Sequence, residues 1–100
     1  MPAERNEETM ISLLDCIDLC GLTEEQVLAI AEHEHIPEIV AASLGQYLLH
    51  QKHGPDRIRD MIGDDIRGAL DRKDVPHASE LMAVMRHFLS THPEVRRMRA

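Results

Sequence analysis

The amino-acid sequence predicts an all-α protein, a single domain spanning residues 1–100 and built as a small bundle of four to five helices. Apolar residues recur every three or four positions along several segments, which is typical of helices with one buried face. No segment alternates apolar and polar residues with the period of a strand. Proline and glycine stand between the periodic segments and predict short loops. A second copy of the chain could complete such a bundle by homodimerisation.

The first predicted helix covers residues 10–19 and follows a polar lead, residues 1–8, that we expect to be disordered. Apolar side chains recur along it at Met10, Ile11, Leu13, Leu14 and Ile17. Gly21 supplies a C-terminal stop. Cys16 and Cys20 lie four residues apart on this helix and therefore share one face. Three interpretations are open: two small buried apolar residues, a redox pair, or metal ligands.

The second predicted helix has a defined start. Thr23 and Gln26 form the pattern of a capping box, in which each side chain satisfies the backbone N–H of the other residue. Further along, Pro37 leaves two alternatives: the helix ends near His35 and restarts, or one long helix over residues 23–51 bends at the proline. Ile36 is a poor N-cap, so the sequence favours the bent helix.

Two further helices are predicted in the second half of the chain. Asp56 is the expected N-cap of one, whose apolar stripe lies within residues 58–70. The other runs over residues 76–91, with its stripe within residues 78–89 and Pro93 after its end. A short helical turn is expected within a basic tail, residues 94–100.

The charge distribution limits the partners. The net charge is −7, and the first fifty residues hold ten acids but one base, Arg5. Nucleic-acid and anionic-membrane binding need clustered Lys and Arg, so neither is expected. No long apolar run and no secretion signal is present, which predicts a cytoplasmic protein. Asp64 and Asp65 are expected to face solvent together.

Residues 32–38 hold the densest cluster of glutamate and histidine side chains in the sequence. On a helical wheel, Glu34, His35 and Glu38 fall on the core-facing stripe, Glu32 falls at its margin, and His33 points away. Burying a carboxylate without a partner costs several kcal/mol. A metal ion, an ion pair, a subunit interface or water must therefore compensate.

The metal hypothesis names Glu32, Glu34, His35 and Glu38 as ligands. Carboxylate and imidazole together suit iron, manganese or zinc. The pair Glu32 and His35 resembles the Glu-x-x-His element of ferritin-like di-iron proteins, in which a second element would have to come from a second copy of this chain. The alternative is that Glu34 and Glu38 pair with an arginine such as Arg57 or Arg86.

Two functions follow as expectations. The first is a cytoplasmic helical module that self-associates as a homodimer or binds a protein partner, using residues 58–70 and 81–89 as core or interface. The alternative is a metal-binding protein of ferritin-like di-iron type. The sequence assigns no catalytic residue. Seven histidines also suggest that mild acidification alters solubility or oligomeric state.

Overall fold

The computed structural model describes residues 21–97, and within them the protein is all helical, as the sequence predicts. Its helices are α1 (Glu24–Glu34), α2 (Glu38–Leu49), α3 (Gly54–Asp71), α4 (Val75–Thr91) and the short α5 (Pro93–Arg97). The predicted helix over residues 10–19, the polar lead, Cys16 and Cys20 lie outside the described residues. The predicted C-terminal helical turn corresponds to α5.

The capping box at the start of α1 is confirmed. The backbone N–H of Gln26 donates to Thr23 Oγ1 at 3.1 Å, and the N–H of Thr23 donates to Gln26 Oε1 at 3.0 Å. These bonds satisfy two of the backbone donors that a helix start leaves unpaired. Leu22, the residue before the cap, is buried, as expected for a hydrophobic staple. The cap therefore fixes the start of α1 through contacts between residues three positions apart.

The sequence favours one helix that bends at Pro37, and this prediction is wrong. The alternative, in which one helix ends and a second begins, is confirmed. His35 adopts the left-handed conformation with φ 58°, and its N–H and that of Ile36 both donate to the carbonyl of Ala31. Pro37 disfavours a helical conformation at Ile36 and has no N–H of its own. α1 therefore ends at Glu34, and Pro37 serves as the N-cap of α2.

The expected capping role of Asp56 is also wrong. α3 begins at Gly54, two residues earlier, with His53 as N-cap and Pro55 in the first turn. A proline suits this position because the first backbone N–H groups of a helix have no intrahelical partner. Asp56 instead lies in the first turn, where its carboxylate contacts His53 Nδ1 at 3.4 Å.

The core lies between α1, α2, α3 and α4, and α3 and α4 form the most extensive helix pair. Ile58 and Ile62 of α3 and Leu81 and Phe88 of α4 are buried within the predicted stripes. Leu70 of α3 and Met82 of α4, which belong to the same predicted stripes, are exposed. Where residues 21–97 are concerned, none of the helices combines the length and apolar composition that crossing a bilayer requires.

Candidate functional site

The structure does not bury the residues of the metal hypothesis in the way the wheel predicts. Glu34 and His35 are exposed, whereas Glu32 and Glu38 are half-buried. The buried face of α1 is turned toward Gln26 and Ala29, because α1 packs against both α2 and α3. Glu34 is exposed and Glu38 is half-buried, so neither carboxylate is enclosed in the core as the wheel predicts.

The four predicted ligands do not form a common site. Glu34 pairs with His33, Glu32 pairs with His77, and His35 ends α1 while Glu38 opens α2. Across residues 21–97, no group of three or more His, Cys, Asp or Glu side chains is arranged to hold a metal ion. The alternative pairing of Glu34 or Glu38 with Arg57 or Arg86 is likewise not among the ion pairs of these residues. A metal site completed by a second copy stays a prediction, which elemental analysis of the purified protein tests.

Charged side chains instead meet where α1, α3 and α4 come together. This polar junction consists of Glu32 and His33 of α1, Asp64 and Asp65 of α3, and His77 of α4. His77 Nε2 lies 2.9 and 3.0 Å from the two carboxylate oxygens of Glu32, and its Nδ1 lies 3.2 Å from Glu80 Oε1. These hydrogen bonds to Glu32 and Glu80 raise the pKa of His77 above its ordinary value. The contact between Glu32 and His77 links the end of α1 to the start of α4.

His33 makes the corresponding link from α1 to α3. Its Nδ1 lies 2.8 Å from Glu34 Oε2, and its Nε2 lies 3.2 Å from Asp64 Oδ2. Partial burial on its own would lower the pKa of His33, but the hydrogen bonds to Glu34 and Asp64 outweigh it and raise that pKa. The hydrogen bond between His33 and Asp64, together with the nearby Arg67, lowers the pKa of Asp64. The expectation that His33 points away from the protein is therefore wrong.

Asp65 is the least satisfied member of the polar junction. Its Oδ2 atom is shielded from solvent and has no hydrogen-bond partner among the described residues. Burial, with the neighbouring Glu32 carboxylate, raises the pKa of Asp65 from an ordinary 3.8 to about 6. The expectation of a solvent-facing Asp64 and Asp65 pair thus holds for Asp64 and is wrong for Asp65.

A groove opens beside the polar junction, between α1 and α4. Its volume is about 550 Å³. Its floor is apolar and is formed by Leu28, Ala29, Leu81, Ala83 and Val84. Leu28 is 42% exposed although it belongs to the apolar set of α1. The groove therefore presents apolar surface that the described residues leave open to solvent.

The rim of this α1–α4 groove is polar, and three of its six residues are glutamates. It is formed by Thr23, Glu25, Glu32, His77, Glu80 and His87. The three glutamates line it with carboxylates, and both histidines belong to α4. An apolar floor with an acidic rim can bind an amphipathic ligand that carries positive charge.

Sequence reasoning placed Glu32 in the candidate site but missed His77 and the groove. His77 stands forty-five positions from Glu32, so no local spacing connects them. Its position three residues after Asp74 is visible in the sequence, but that position indicates only the first turn of α4.

Comparison with protein-family models, with curated proteins and with solved structures finds no match.

Proposed function

We propose that this protein is a helix-binding module whose α1–α4 groove takes an amphipathic helix from a partner protein. The helix would carry an apolar stripe flanked by lysine or arginine. The observation that carries this proposal is the combination of an apolar floor and an acidic rim in one groove between two helices. Helix-in-groove docking is a common mode of peptide recognition.

The apolar floor supports an apolar stripe on the ligand. Leu28 is exposed at 42%, and Val84 is half-buried. Covering them with apolar side chains removes this surface from water, at roughly 25 cal/mol per Å². A groove of this type favours ligand side chains spaced three, four and seven positions apart, which share one face of a helix.

The rim supports basic flanks on the ligand. Glu25, Glu32 and Glu80 lie around the floor, where Glu32 and Glu80 both contact His77, and the protein as a whole carries a net charge of −7. A basic helix is therefore steered toward the groove, and an acidic helix of the same apolar pattern is repelled. The length of α1, eleven residues, corresponds to about 16 Å, so the ligand would span about three helical turns.

The experiment uses two fluorescent helical peptides that share one apolar stripe, one with lysine flanks and one with glutamate flanks. Binding to the full chain is measured by fluorescence anisotropy. We expect the basic peptide to bind with one-to-one stoichiometry and at least tenfold more tightly than the acidic peptide. Leu28→Lys removes floor surface and adds a like charge, so we expect it to weaken binding of the basic peptide at least tenfold.

Leu70→Lys is the matched control, because Leu70 is 46% exposed on α3 and does not line the groove. Equal binding of the two peptides, or equal effects of the two lysine variants, would contradict the proposal. Dissociation of a dimer by Leu28→Lys would assign the groove to a second copy. Tighter peptide binding after Leu14→Asp would assign it to residues 10–19 of the same chain.

A further inference from the structure

The part of the chain that the structure describes begins against the end of α2. Gly21 has a positive φ of 84°, and a Cβ at this position would lie 3.2 Å from Leu49 Cδ1. Leu22 is buried and contacts Gly45 of α2, where a Cβ would collide with its side chain. A glycine with positive φ is typical of the position that follows the end of a helix. The residues before Gly21 therefore enter the fold beside Leu49.

The connection from residues 10–19 to α1 is short. It consists of residues 20–23, and the last of these, Thr23, is the N-cap of α1. Helices joined by so few residues are typically antiparallel neighbours. Residues 10–19 would span about 15 Å as a helix, and α1, with eleven residues, spans about 16 Å. A helix that ends before Gly21 therefore matches the length of α1.

The contact with Leu49 selects the side of α2 that such a helix would meet. Gly45 faces α1, because Ile30 of α1 and Leu22 both approach it. At 100° per residue, Leu49 lies about 40° from Gly45, and Ile39 lies about 80° beyond Leu49 on the same side of the helix. Val40 instead lies opposite Leu49. Chain that enters beside Leu49 is thus directed toward Ile39 and away from Val40.

The facing side of α1 is defined in the same way. Ile30 approaches Gly45 of α2, and His33 turns toward Asp64 of α3. On the helical wheel, Ala31 and His33 lie on opposite sides of Ile30, so Ala31 borders α2 on the side away from α3. Ala31 is half-buried.

We call the surface lined by Ala31 of α1 and by Ile39, Gln46 and Leu49 of α2 the α1–α2 seam. Ile39 is 37% exposed, Ala31 and Leu49 are half-buried, and Gln46 is exposed. None of the four carries a charge. The seam therefore offers partly open, uncharged surface at the point where residues 10–19 join the fold.

Residues 10–19 carry an apolar side that fits this surface. On a helical wheel, four apolar side chains fall within about 100° of one another: Met10, Leu13, Leu14 and Ile17. The charged residues of the segment are Asp15 and Asp18, and both are acidic. An apolar side of this width is typical of a helix that packs on neighbouring helices.

The acidic charge of this segment separates the seam from the α1–α4 groove. The rim of the groove carries Glu25, Glu32 and Glu80, so an acidic helix placed there would meet like charges. The seam has no carboxylate among its four residues. Charge therefore favours the seam over the groove for residues 10–19.

We propose that residues 10–19 of this chain form a helix that docks on the α1–α2 seam, antiparallel to α1, with Met10, Leu13, Leu14 and Ile17 facing the seam. The short connection, the position of Gly21 beside Leu49 and the charge of the segment carry the proposal. It does not depend on the groove or on its ligand.

The cysteines allow a direct test, because Cys16 and Cys20 are the only thiols in the sequence. Cys20 falls beside Leu13 on the helical wheel, at the edge of the apolar side. In the full chain with Cys16→Ala, the reaction of Cys20 with dithionitrobenzoate is measured in the native protein and in urea. We expect the native thiol to react at least tenfold more slowly, because the docked helix shields it.

Substitutions on α2 locate the surface that shields Cys20. Ile39→Lys places a charge in the seam, and we expect it to raise the native reaction rate at least fivefold. Val40→Lys is the matched control, since Val40 is 47% exposed and lies on the side of α2 opposite Leu49. We expect the control to leave the rate within a factor of two.

Substitutions in the segment test the same contact from the other side. Leu14→Asp removes an apolar contact with the seam, so we expect it to raise the rate at least fivefold. Ser12→Asp, on the opposite side of the predicted helix, should leave the rate within a factor of two. Circular dichroism of each variant checks that the helices of the protein stay folded.

Equal reaction rates of Cys20 in the native protein and in urea would overturn the proposal, as would equal rates for Ile39→Lys and Val40→Lys. A larger increase from Ala83→Lys, on the groove floor, than from Ile39→Lys would place residues 10–19 in the groove instead. Protection of Cys20 that is lost on dilution would show that a second copy, and not the same chain, shields it.

Discussion

Helix α4 meets its two neighbours in different ways. Toward α3 it forms the most extensive helix pair of the described chain, and Phe88 and Leu81 are buried in the core. Toward α1 it makes fewer contacts, which include the polar link between His77 and Glu32, and it borders the open groove. One helix therefore takes part both in the apolar core and in the lining of an open groove.

The two sides of α4 therefore contribute differently to stability. Burial of large apolar side chains such as Phe88 and Leu81 in the core removes surface from water and stabilises the fold. Partly exposed ion pairs contribute little, about 0–1 kcal/mol each. Variants on the α3 side of α4 should therefore unfold the protein, whereas variants on the α1 side should change pH dependence or binding.

The largest expected effect comes from Phe88→Ala, which removes a large apolar side chain from the core side of α4. Phe88 is fully buried, and its ring stacks on His92 with centroids 4.3 Å apart. Its loss leaves a cavity, so we expect the free energy of unfolding to fall by about 3–5 kcal/mol. Urea denaturation followed by circular dichroism measures this. Met82→Ala, at a residue 40% exposed on the same helix, is the control. A loss below about 1 kcal/mol for Phe88→Ala would place the core elsewhere.

A smaller effect is expected from Asp65→Asn in the polar junction. The pKa of Asp65 is raised from 3.8 to about 6, so the fold favours its protonated form. The stability from this group is complete below pH about 4 and is lost as the pH rises through about 6. Asparagine stays neutral, so we expect the variant to be more stable than the natural protein by about 1 kcal/mol at pH 7, allowing for solvent screening.

Thermal unfolding at pH 4 and at pH 7 measures the effect of Asp65→Asn. The difference between the two proteins should shrink toward zero at pH 4, where the natural side chain is also neutral. Asp71→Asn, at an exposed aspartate near the end of the same helix, is the matched control. A variant that is less stable than the natural protein at pH 7 would contradict the assignment of Asp65 as an unfavourable buried charge.

The smallest effect is expected from His77→Gln, which removes the ion pair between α4 and Glu32 of α1. The hydrogen bonds to Glu32 and Glu80 raise the pKa of His77, so its charged form is favoured in the fold. This stability is complete below pH 6.5 and is lost as the pH rises through the raised pKa. We expect the variant to lose less than about 1 kcal/mol at pH 5.5 and nothing at pH 8.5.

His87→Gln is the matched control for His77→Gln, because His87 is an exposed histidine on the same helix and on the same rim. Urea denaturation at the two pH values compares the variants. A loss for His77→Gln that is the same at both pH values would show that the ring acts by packing rather than by charge.

Local sequence signals predicted much of the fold. The capping box placed the start of α1 because its hydrogen bonds join residues three positions apart. The apolar stripes of α3 and α4 placed buried residues such as Ile58 and Phe88 because helical periodicity is a local property, although Leu70 and Met82 of the same stripes are exposed. The break at Pro37 was visible, but the choice between a bend and a restart depended on His35 reaching the left-handed conformation.

The candidate site was less predictable. The helical wheel of α1 assumes one buried face, whereas α1 packs against α2 and α3 and meets α4 at its end. That packing turned His33 toward Asp64 and left Glu34 exposed. The sequence by itself thus determined the helical class, the start of α1 and the acidic balance of the chain, because these depend on neighbouring residues and on composition. Only the tertiary structure decided that Glu32 meets His77 and that a groove stays open between α1 and α4, because such contacts depend on how whole helices pack together.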